Sequence, residues 1–265
     1  MVGVRALILA AGLGTRLQPL TNYWPKCLMP IRGRPLLEYW LATLSDLNIR
    51  DVLVNTHSHE KIVASFLQRE CFKNWVRMVY EPFLLGTAGT LRANLDYFSG
   101  HTVLMIHGDN WCQCNFHEFL NYHKNYRPSN CVMTMMTFDT LRPQNCGIVE
   151  TDLNGVVTRF YEKVSDPPGT RANGAVYLID SEVFEWLELH SEISDFSTEV
   201  IPNFIGRIAT WHNNNIHRDI GTLAELAIAQ SDLHSGTQWD IDDEWLRNFR
   251  KSETYSSISR KLTAT

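Results

Sequence analysis

Residues 4–26 read VRALILAAGLGTRLQPLTNYWPK, and this stretch decides how the rest of the chain is interpreted. Its apolar first part predicts a buried strand, which breaks directly into Gly12-Leu13-Gly14-Thr15-Arg16. In an open α/β sheet, ligands bind beyond the carboxyl ends of the strands. The glycines allow backbone N–H groups to approach phosphate oxygens, and Arg16 adds a forked, permanent positive charge. The loop therefore predicts an anion-binding site.

The glycine loop does not match either standard cofactor motif. A dinucleotide-binding loop requires G-x-G-x-x-G, but Leu17 occupies the position of the third glycine. A Walker loop requires G-x-x-x-x-G-K-[ST], and the sequence does not contain that pattern at this position. On the glycines alone, a tight connection between a strand and a helix, with no ligand, stays an alternative.

Length and composition restrict the class of protein. With 265 residues, 44% of them hydrophobic, the chain can bury a core in one large domain, or in one domain with a small appendage. The formal net charge is −5. A nucleic-acid partner requires a basic stripe of Lys and Arg, so this composition disfavours that class of partner.

Cysteine usage and hydropathy predict the compartment. Six cysteines without a dense, regular framework indicate reduced thiols in a cytosolic protein. Cys112 and Cys114 form a C-x-C pair, but no second pair or nearby His cluster completes a zinc site. The first apolar run is too short for a leader, and no later segment has the length to span a bilayer. We expect a cytoplasmic protein without a membrane partner.

The first half of the sequence alternates between strand-like and helix-like segments. The run ALILAA precedes RPLLEYWLATLSDLN, in which Leu37, Trp40, Leu41 and Leu44 recur at helical spacing. The segments DVLVNTH, EKIVASFLQREC and VRMVYEP continue the rhythm. It predicts an α/β fold, with a parallel or mixed sheet and helices on both faces.

The rhythm changes at about Asn145. The run GIVETDLNGVVTRFYEK predicts two strands joined by an Asp-Leu-Asn-Gly turn. The last stretch, QWDIDDEWLRNFRKSETYSSISRKLTAT, is polar and predicts a short helix with a loosely held tail. We expect a main, catalytic domain at residues 1–235 and a C-terminal extension at residues 236–265.

Several segments resemble the sugar-1-phosphate nucleotidylyltransferases, also called NDP-sugar pyrophosphorylases. The run LAAGLGTRLQPLTNYWPK resembles the family signature G-x-G-T-R-(x)n-P-K. Further matches follow in the family's order between about residues 4 and 230: EPFLLGTAGTL (81–91), HGDN (107–110), CGIVE (146–150), FYEKV (160–164), ANGAVYLI (172–179) and HRDIGT (217–222). The resemblance implies a Rossmann-like α/β fold of the nucleotide-diphospho-sugar transferase type, with a mixed, mostly parallel sheet flanked by helices.

The resemblance also implies a reaction. An NTP and a sugar 1-phosphate, the expected partners, give an NDP-sugar and pyrophosphate through an in-line displacement at the α-phosphorus. The attacking phosphate oxygen is already ionised near neutral pH, so the protein's task is to position two anions and neutralise their repulsion. By resemblance, Arg16 holds the triphosphate and the departing pyrophosphate, and Lys26 acts on the phosphates near the reacting centre.

Binding residues are implied in the same way. The residues matched to the nucleotide site are Leu9, Ala11, Gly12, Gly14, Thr15, Gly86 and Gly108. The residues matched to the sugar-phosphate site are Gly147, Glu162, Lys163 and Asn173. A simpler interpretation exists for some of them: Gly86 could serve only a turn, and Glu162 and Lys163 could form only a surface ion pair.

Asp109 and Asp219 are the candidate metal ligands. Asp109 ends the apolar strand TVLMIHGD, and Asp219 matches the second carboxylate of the family. Hard carboxylates suit Mg²⁺ bound to phosphates, so Mg²⁺ is the expected cofactor. We expect the two side chains to meet around one ion at the carboxyl edge of the sheet. Taken singly, each could instead be a turn or cap residue.

The sequence is most similar to the mannose-1-phosphate guanylyltransferases, which favours GDP-mannose-type chemistry. Ala11 departs from the pattern, because many guanylyl and thymidylyl members have a second glycine there. Uridylyl, thymidylyl or cytidylyl transfer to another sugar or alcohol phosphate stays open, as do a homo-oligomer and a non-catalytic regulator that binds an NDP-sugar. The resemblance does not include an acyltransferase β-helix, so we expect a single activity.

Overall fold

A computed structural model describes residues 3–232, 239 and 241–263. Its strands are β1 (Val4–Leu9), β2 (Pro30–Ile31), β3 (Arg34–Pro35), β4 (Val52–Thr56), β5 (Val76–Tyr80), β6 (Thr102–His107), β7 (Asn110–Cys112), β8 (Met133–Asp139), β9 (Gly147–Thr151), β10 (Val157–Glu162), β11 (Arg171–Ile179), β12 (Ile208–His212) and β13 (His217–Asp219).

The α-helices alternate with these strands. They are α1 (Leu36–Asp46), α2 (Glu60–Leu67), α3 (Thr87–Ala93), α4 (Leu95–Phe98), α5 (Phe116–Asn125), α6 (Ser181–Leu189), α7 (Leu223–Ser231), α8 (Glu244–Lys251) and α9 (Glu253–Thr263). Short 3-10 turns lie between β1 and β2, including Thr15–Leu17 and Lys26–Leu28.

The chain forms two compact units, and β1 contributes residues to both. The first unit comprises Met1–Leu7, Leu85–Ile106 and Asn115–Asn215. Its strands follow the order β10-β9-β11-β6-β1, and β8 pairs with both β11 and β12. The pairings of β11 with β6, β8 and β9 are antiparallel, whereas β12 runs parallel to β8.

The second unit comprises Ile8–Leu84, His107–Cys114 and Ile216–Thr265. Its strands follow the order β1-β4-β5, and β4 and β5 are parallel. A separate two-stranded ladder joins β7 and β13 in antiparallel register. The helix α1 presents Leu37, Leu41 and Leu44 to the core, as the periodicity predicts.

The strand β1 is buried because almost every side chain in it is apolar. Ala6, Leu7 and Ile8 have no solvent exposure. Burying a large aliphatic side chain stabilises the fold by roughly 1.5–3 kcal/mol, which fixes the strand that leads into the glycine loop. The loop that carries Arg16 therefore starts from a rigid element.

The predicted α/β class, with a mixed sheet flanked by helices, is confirmed. The change of rhythm near Asn145 corresponds to the antiparallel hairpin of β9 and β10. Asp152 Oδ1 accepts hydrogen bonds from the backbone N–H groups of Asn154 and Val156, and Gly155 has φ 76°, so this turn forms as predicted.

The C-terminal extension holds more structure than its polarity suggests. The sequence predicts one short helix with a loose tail, whereas the described residues contain both α8 and α9. The boundary at residue 235 stays a prediction. In the described residues, no helix combines the length and apolar character needed to cross a membrane.

Candidate active site

Lys26 is the centre of a charged cluster in the second unit. Its side chain is only 6% exposed, and its ammonium donates hydrogen bonds to Asp109 Oδ2 at 2.8 Å and to Asp219 Oδ1 at 2.7 Å. One nitrogen atom therefore contacts both aspartates, whereas a metal ion shared by them stays a prediction. The point where they converge is held by the lysine.

The β7–β13 ladder explains why the two carboxylates meet. Asp219 is the last residue of β13 and lies opposite Asn110, the first residue of β7. Asp109 immediately precedes Asn110 in the chain. Trp40 Nε1 donates to the carbonyl oxygen of Asn110 at 3.0 Å, which fixes the start of β7 against α1. The register of this short ladder thus joins two parts of the chain that are distant in sequence.

Arg16 joins the cluster from the glycine loop. Its Nη2 donates to Asp219 Oδ2 at 2.6 Å, while its side chain stays 64% exposed. A Cβ atom at Gly221 would lie 2.6 Å from Arg16 Nη2, so the glycine leaves room for the guanidinium. Asp219 is therefore bound by two cations, one buried and one facing solvent.

The cluster is electrostatically self-consistent. Burial by itself would lower the pKa of Lys26, but the charges of Asp109 and Asp219 and their hydrogen bonds raise it above its ordinary value. Burial would raise the pKa of Asp219, but Lys26 and then Arg16 hold it below its ordinary value. At neutral pH the lysine is an ammonium and Asp219 is a carboxylate. The cluster therefore contains two cations that an anionic ligand could contact, the buried Lys26 and the exposed Arg16.

The packing of the fold requires a glycine at one of the two loop positions and not at the other. Gly14 has φ 62°, and a Cβ atom there would lie 2.8 Å from Thr21 Cγ2 and 3.2 Å from Lys26 Cβ. Thr21 Oγ1 also donates to the Gly14 carbonyl at 2.9 Å. At Gly12 a Cβ atom would meet nothing within 4 Å. Gly14 is needed by the fold itself, whereas the packing around Gly12 does not require a glycine.

The other matched nucleotide residues of this unit lie around the end of β1. The Gly108 N–H donates to the Leu9 carbonyl at 2.9 Å, and a Cβ atom on Gly108 would lie 2.6 Å from Ile8 Cγ2. Ala11 is buried and Thr15 is exposed. The residues matched to the nucleotide in this unit thus line one strand end and its loop, and their contacts with a nucleotide stay predictions.

Two buried polar side chains near the loop are not identified by the sequence. Asn55 Oδ1 accepts a 2.7 Å hydrogen bond from the Ala10 N–H, and Asn55 Nδ2 donates to Glu81 Oε1 at 3.0 Å. These contacts fix the backbone just before Gly12. A polar residue inside the apolar strand DVLVNTH is the signal that could have identified Asn55.

The four residues matched to the sugar phosphate lie together in the first unit. Glu162 pairs with Gly147 across the β9–β10 ladder, and Ala172, next to Asn173, pairs with Ile148. A Cβ atom on Gly147 would lie 2.5 Å from the Phe160 ring and 2.6 Å from Glu162 Oε2. The glycine therefore lets the Glu162 side chain approach the strand.

Lys163 and Asn173 have local partners in this group. Lys163 Nζ lies 3.0 Å from Glu162 Oε1, its φ is 50°, and its side chain is 65% exposed. Asn173 Nδ2 donates to the Tyr177 hydroxyl at 2.6 Å, and Asn173 Oδ1 accepts from the Ala175 N–H at 2.9 Å. The ion-pair interpretation of Lys163 is compatible with this geometry, and its role in binding stays a prediction.

Gly86 has a structural role of its own in the first unit. Its φ is 78°, and a Cβ atom there would lie 2.4 Å from the Ser194 carbonyl oxygen. The same carbonyl accepts hydrogen bonds from the N–H groups of Ala88 and Gly89, at the start of α3. Close packing against Ser194 thus accounts for a glycine at this position, and a nucleotide contact at Gly86 stays a prediction.

Trp24 and Trp111, which lie next to the candidate loops, both pack against other aromatic side chains. Trp111 is fully buried against Tyr39, with ring centroids 4.8 Å apart, and the ring of Trp24 stacks on Phe249 at 5.0 Å.

The donor set restricts what metal this cluster can hold. Among the described residues, no group of three or more His, Cys, Asp and Glu side chains is arranged to hold a metal ion. Asp109 and Asp219 offer two converging carboxylates, which suits an ion that completes its shell with phosphate oxygens and water. The side chains fit such an ion better than one held entirely by protein ligands.

The chain is similar to known proteins of one enzyme family. The family model for nucleotidyl transferase matches residues 5–236. A mannose-1-phosphate guanylyltransferase from Mycobacterium tuberculosis is 27% identical over 238 residues, which are 88% of this chain and 65% of that protein. A bifunctional protein GlmU from Methanocaldococcus jannaschii is 29% identical over 185 residues, 69% of this chain and 41% of that protein.

A solved structure has the same fold. It is a putative glucose-1-phosphate thymidylyltransferase from Bacillus anthracis, with a TM-score of 0.77 and 22% sequence identity, covering 93% of this chain and 99% of that one. The chain spans only about 54–65% of the length of the first curated relatives that it matches. Because the family model covers most of the chain, including Arg16, Lys26, Asp109 and Asp219, the chain belongs to the nucleotidyl transferase family.

Proposed function

We propose that this protein transfers a nucleotidyl group from an NTP to a sugar 1-phosphate, giving an NDP-sugar and pyrophosphate. The observation that carries the proposal is the cluster in which Lys26 contacts Asp109 and Asp219, with Arg16 on the same Asp219. Two cations and two carboxylates at the end of a glycine loop suit a reaction between two anions. Family membership supports the same class of chemistry.

The reaction needs positioning more than proton transfer. An oxygen of the sugar phosphate forms a bond to the α-phosphorus of the NTP. The bond that breaks joins the α-phosphorus to the oxygen that bridges the α- and β-phosphorus atoms. The electron pair of the broken bond leaves with pyrophosphate, so no oxidant or further reactant is required. The attacking oxygen is already ionised, so no side chain must act as a general base.

Lys26 and Arg16 supply complementary charges in this scheme. The raised pKa of Lys26 keeps its ammonium protonated, and its burial holds the charge at one place. Such a fixed charge stabilises a transition state without reorganising when the reaction occurs. The exposed guanidinium of Arg16 can exchange its contact with Asp219 for a contact with the triphosphate. It can then hold the departing pyrophosphate.

Asp109 and Asp219 are the residues that would hold Mg²⁺. When bound, the ion would neutralise phosphate charge at the reacting centre. When no ligand is bound, the positive charge of the Lys26 ammonium offsets the electrostatic repulsion between the two carboxylates. The Lys26 ammonium occupies the point between the two carboxylates, so metal binding should depend on nucleotide phosphates that draw the ammonium toward themselves.

Glu162, Lys163 and Asn173, together with Gly147, form the proposed sugar-phosphate group. The support is that Gly147, Glu162 and Asn173 lie on the paired strands β9, β10 and β11, and that Lys163 directly follows the end of β10. Lys163 has the exposure needed to contact a phosphate, and Glu162 and Asn173 offer acceptors and donors to sugar hydroxyls. Gly86 is proposed for the nucleobase by resemblance only, since its packing against Ser194 already accounts for the glycine.

Guanylyl transfer to mannose 1-phosphate is the favoured form of the reaction. Support comes from relatives named as mannose-1-phosphate guanylyltransferases, at about 27–28% identity. Other bases and sugars stay alternatives, because the chain is also similar to the putative thymidylyltransferase and to the GlmU protein.

The test is a matrix of substrates. Purified protein with Mg²⁺ is given each of GTP, UTP, dTTP and CTP with mannose, glucose and N-acetylglucosamine 1-phosphates, and products are identified by mass spectrometry. We expect GDP-mannose as the main product. A different NDP-sugar would keep the reaction class and replace the substrates, whereas binding of NDP-sugars without any product would favour a regulator.

A further inference from the structure

The C-terminal helix α8 packs directly on the loop that carries Lys26. The ring of Phe249 stacks on Trp24 with centroids 5.0 Å apart and an interplanar angle of 13°, and Trp245 approaches the same ring at 6.4 Å. Trp24 Nε1 donates to the Leu28 carbonyl at 2.8 Å. This bond spans the 3-10 turn Lys26–Leu28, so the indole fixes the turn from outside.

The helix α8 is anchored by residues outside the charged cluster. Asp243 caps it by accepting from the Leu246 N–H at 3.0 Å, and Asp243 also accepts from Arg69 Nε at 2.6 Å. The buried guanidinium of Arg69 contacts Glu38 on α1 as well. Trp245 Nε1 donates to Ser65 Oγ on α2 at 3.1 Å. The position of α8 therefore does not depend on a bound substrate.

Phe249 is the contact through which that anchored helix reaches the active-site loop. It is buried, it stacks on Trp245 as well as on Trp24, and its Cα lies in the last turn of α8. A stacked aromatic pair stabilises the two rings against each other beyond the effect of their buried area. Losing this contact would remove the stacked ring from the Trp24 indole and leave only the more distant Trp245, and the Lys26 turn would gain freedom.

We infer that Phe249 is a positioning residue for Lys26 and acts through Trp24. The inference rests on the proposed function, in which the Lys26 ammonium must stand at a fixed place. It gives the C-terminal extension a part in the reaction, although none of its described side chains belongs to the charged cluster. A small displacement of a catalytic group lowers the rate strongly, so the effect should appear in turnover rather than in substrate binding.

The test compares Phe249→Leu with Phe72→Leu in the full chain. Phe72 is a fully buried ring that packs against Phe66, Trp75 and Trp239, and the described structure gives it no ring contact with Trp24. Both variants lose one aromatic ring from this side of the second unit. Both should therefore lose stability, and only Phe249→Leu should alter the Lys26 turn.

Hydrogen exchange is the readout that does not depend on activity. We expect amides in residues 20–28 to exchange about tenfold faster in Phe249→Leu than in Phe72→Leu. We also expect kcat to fall about tenfold in Phe249→Leu, with little change in the KM of the NTP. Equal exchange in both variants, or faster exchange with wild-type kcat, would overturn the inference. If the wild type released no pyrophosphate, the proposed function would fail, and the exchange measurement would still test the link to the turn.

Trp24→Phe is the second variant, for the case that Phe249→Leu does not fold. The indole is half-buried, so the substitution keeps an aromatic face and removes the donor to the Leu28 carbonyl. Faster exchange at residues 26–28 with reduced kcat is expected. Unchanged exchange and unchanged kcat would contradict the proposed route from α8 to Lys26.

Discussion

Lys26 donates a 2.7 Å hydrogen bond to Asp219 although 193 positions separate the two residues in the chain. The bond joins the loop after β1 to the end of β13, and Asp109 shares the same ammonium at 2.8 Å. A buried ammonium between two carboxylates is costly to assemble unless each charge is compensated.

Arg16→Ala should lower turnover by about a hundredfold and leave the fold intact. The guanidinium is largely exposed and contributes little to the core, whereas its charge faces the proposed phosphate site. Pyrophosphate release checks the predicted loss of turnover, and the melting temperature of the same preparation checks that the fold is intact. Turnover equal to the wild type would remove Arg16 from the reaction.

Lys26→Met should abolish measurable turnover and should also affect the cluster. Methionine keeps an aliphatic stem of similar length but leaves Asp109 and Asp219 facing each other without the ammonium. Mg²⁺ should then stabilise the variant more than it stabilises the wild type. Thermal unfolding with and without Mg²⁺ measures this difference, and an equal shift in both proteins would argue against a shared metal position.

Gly12→Ala separates a ligand contact from packing. The site has open space around a Cβ atom, so stability should stay within about 0.5 kcal/mol of the wild type. The KM of the NTP should rise if the backbone approaches phosphate there. Gly14→Ala is the matched control, because φ 62° and the contact with Thr21 should destabilise the fold by roughly 1 kcal/mol or more. A Gly12→Ala enzyme with an unchanged KM would place the phosphates elsewhere.

Lys163→Ala should raise the KM of the sugar phosphate much more than the KM of the NTP. The side chain belongs to the proposed sugar-phosphate group and has little buried surface to lose. Arg159→Ala is the control, since Arg159 is a similarly exposed cation on β10, the strand that ends just before Lys163, and it is paired with Glu150. Equal changes for both substrates, or the same effect from Arg159→Ala, would count against the assignment.

Asp243 should make stability depend on pH in the acid range. Burial would raise its pKa, but hydrogen bonds from Arg69 and the Leu246 N–H, with the Arg69 charge, lower it below the ordinary 3.8. A depressed folded-state pKa contributes stability that is complete above about 3.8 and is lost as the pH falls through the folded value. The free-energy difference between wild type and Asp243→Asn should therefore stay at its full size from pH 7 down to about pH 4 and shrink as the pH falls below 3.8.

Denaturant titrations at several pH values measure this difference. Asparagine keeps the cap on α8, so the comparison isolates the charge. Asp242→Asn is the matched control, because Asp242 is half-exposed and its pairs with Arg247 and Arg250 lie at the surface. A gap for Asp243→Asn that stayed constant from pH 7 to pH 3 would contradict the ion pair with Arg69.

Much of the fold follows from local pattern, and the site follows from it only in part. The strand into Gly12 and the hairpin turn at Asp152 are visible because apolar runs and turn residues act over a few positions. The partnership of Lys26 with Asp219 depends on the β7–β13 register, which no local pattern encodes. The family resemblance supplied those residues, and the structure supplied the reason that they meet.

Residues that serve packing leave little signal in the sequence. Gly14 and Gly86 have positive φ and close neighbours, Thr21 and Ser194, that only the tertiary fold brings near. The sequence does not predict α9, because polar residues surround its single fully buried side chain, Ile258. In α8, the apolar positions Leu246 and Phe249 share one buried face, a signal too short to stand out in a charged segment.

We propose that the Lys26 cluster carries nucleotidyl transfer to a sugar 1-phosphate. The most direct test of this proposal is the rate of pyrophosphate release by the wild type with Mg²⁺, GTP and mannose 1-phosphate, beside the same measurement on Lys26→Met. We expect pyrophosphate release that requires both substrates, with one NDP-sugar formed per pyrophosphate, and loss of this release in Lys26→Met. Release that continued at the wild-type rate in Lys26→Met, or no release with any NTP and sugar 1-phosphate, would contradict it.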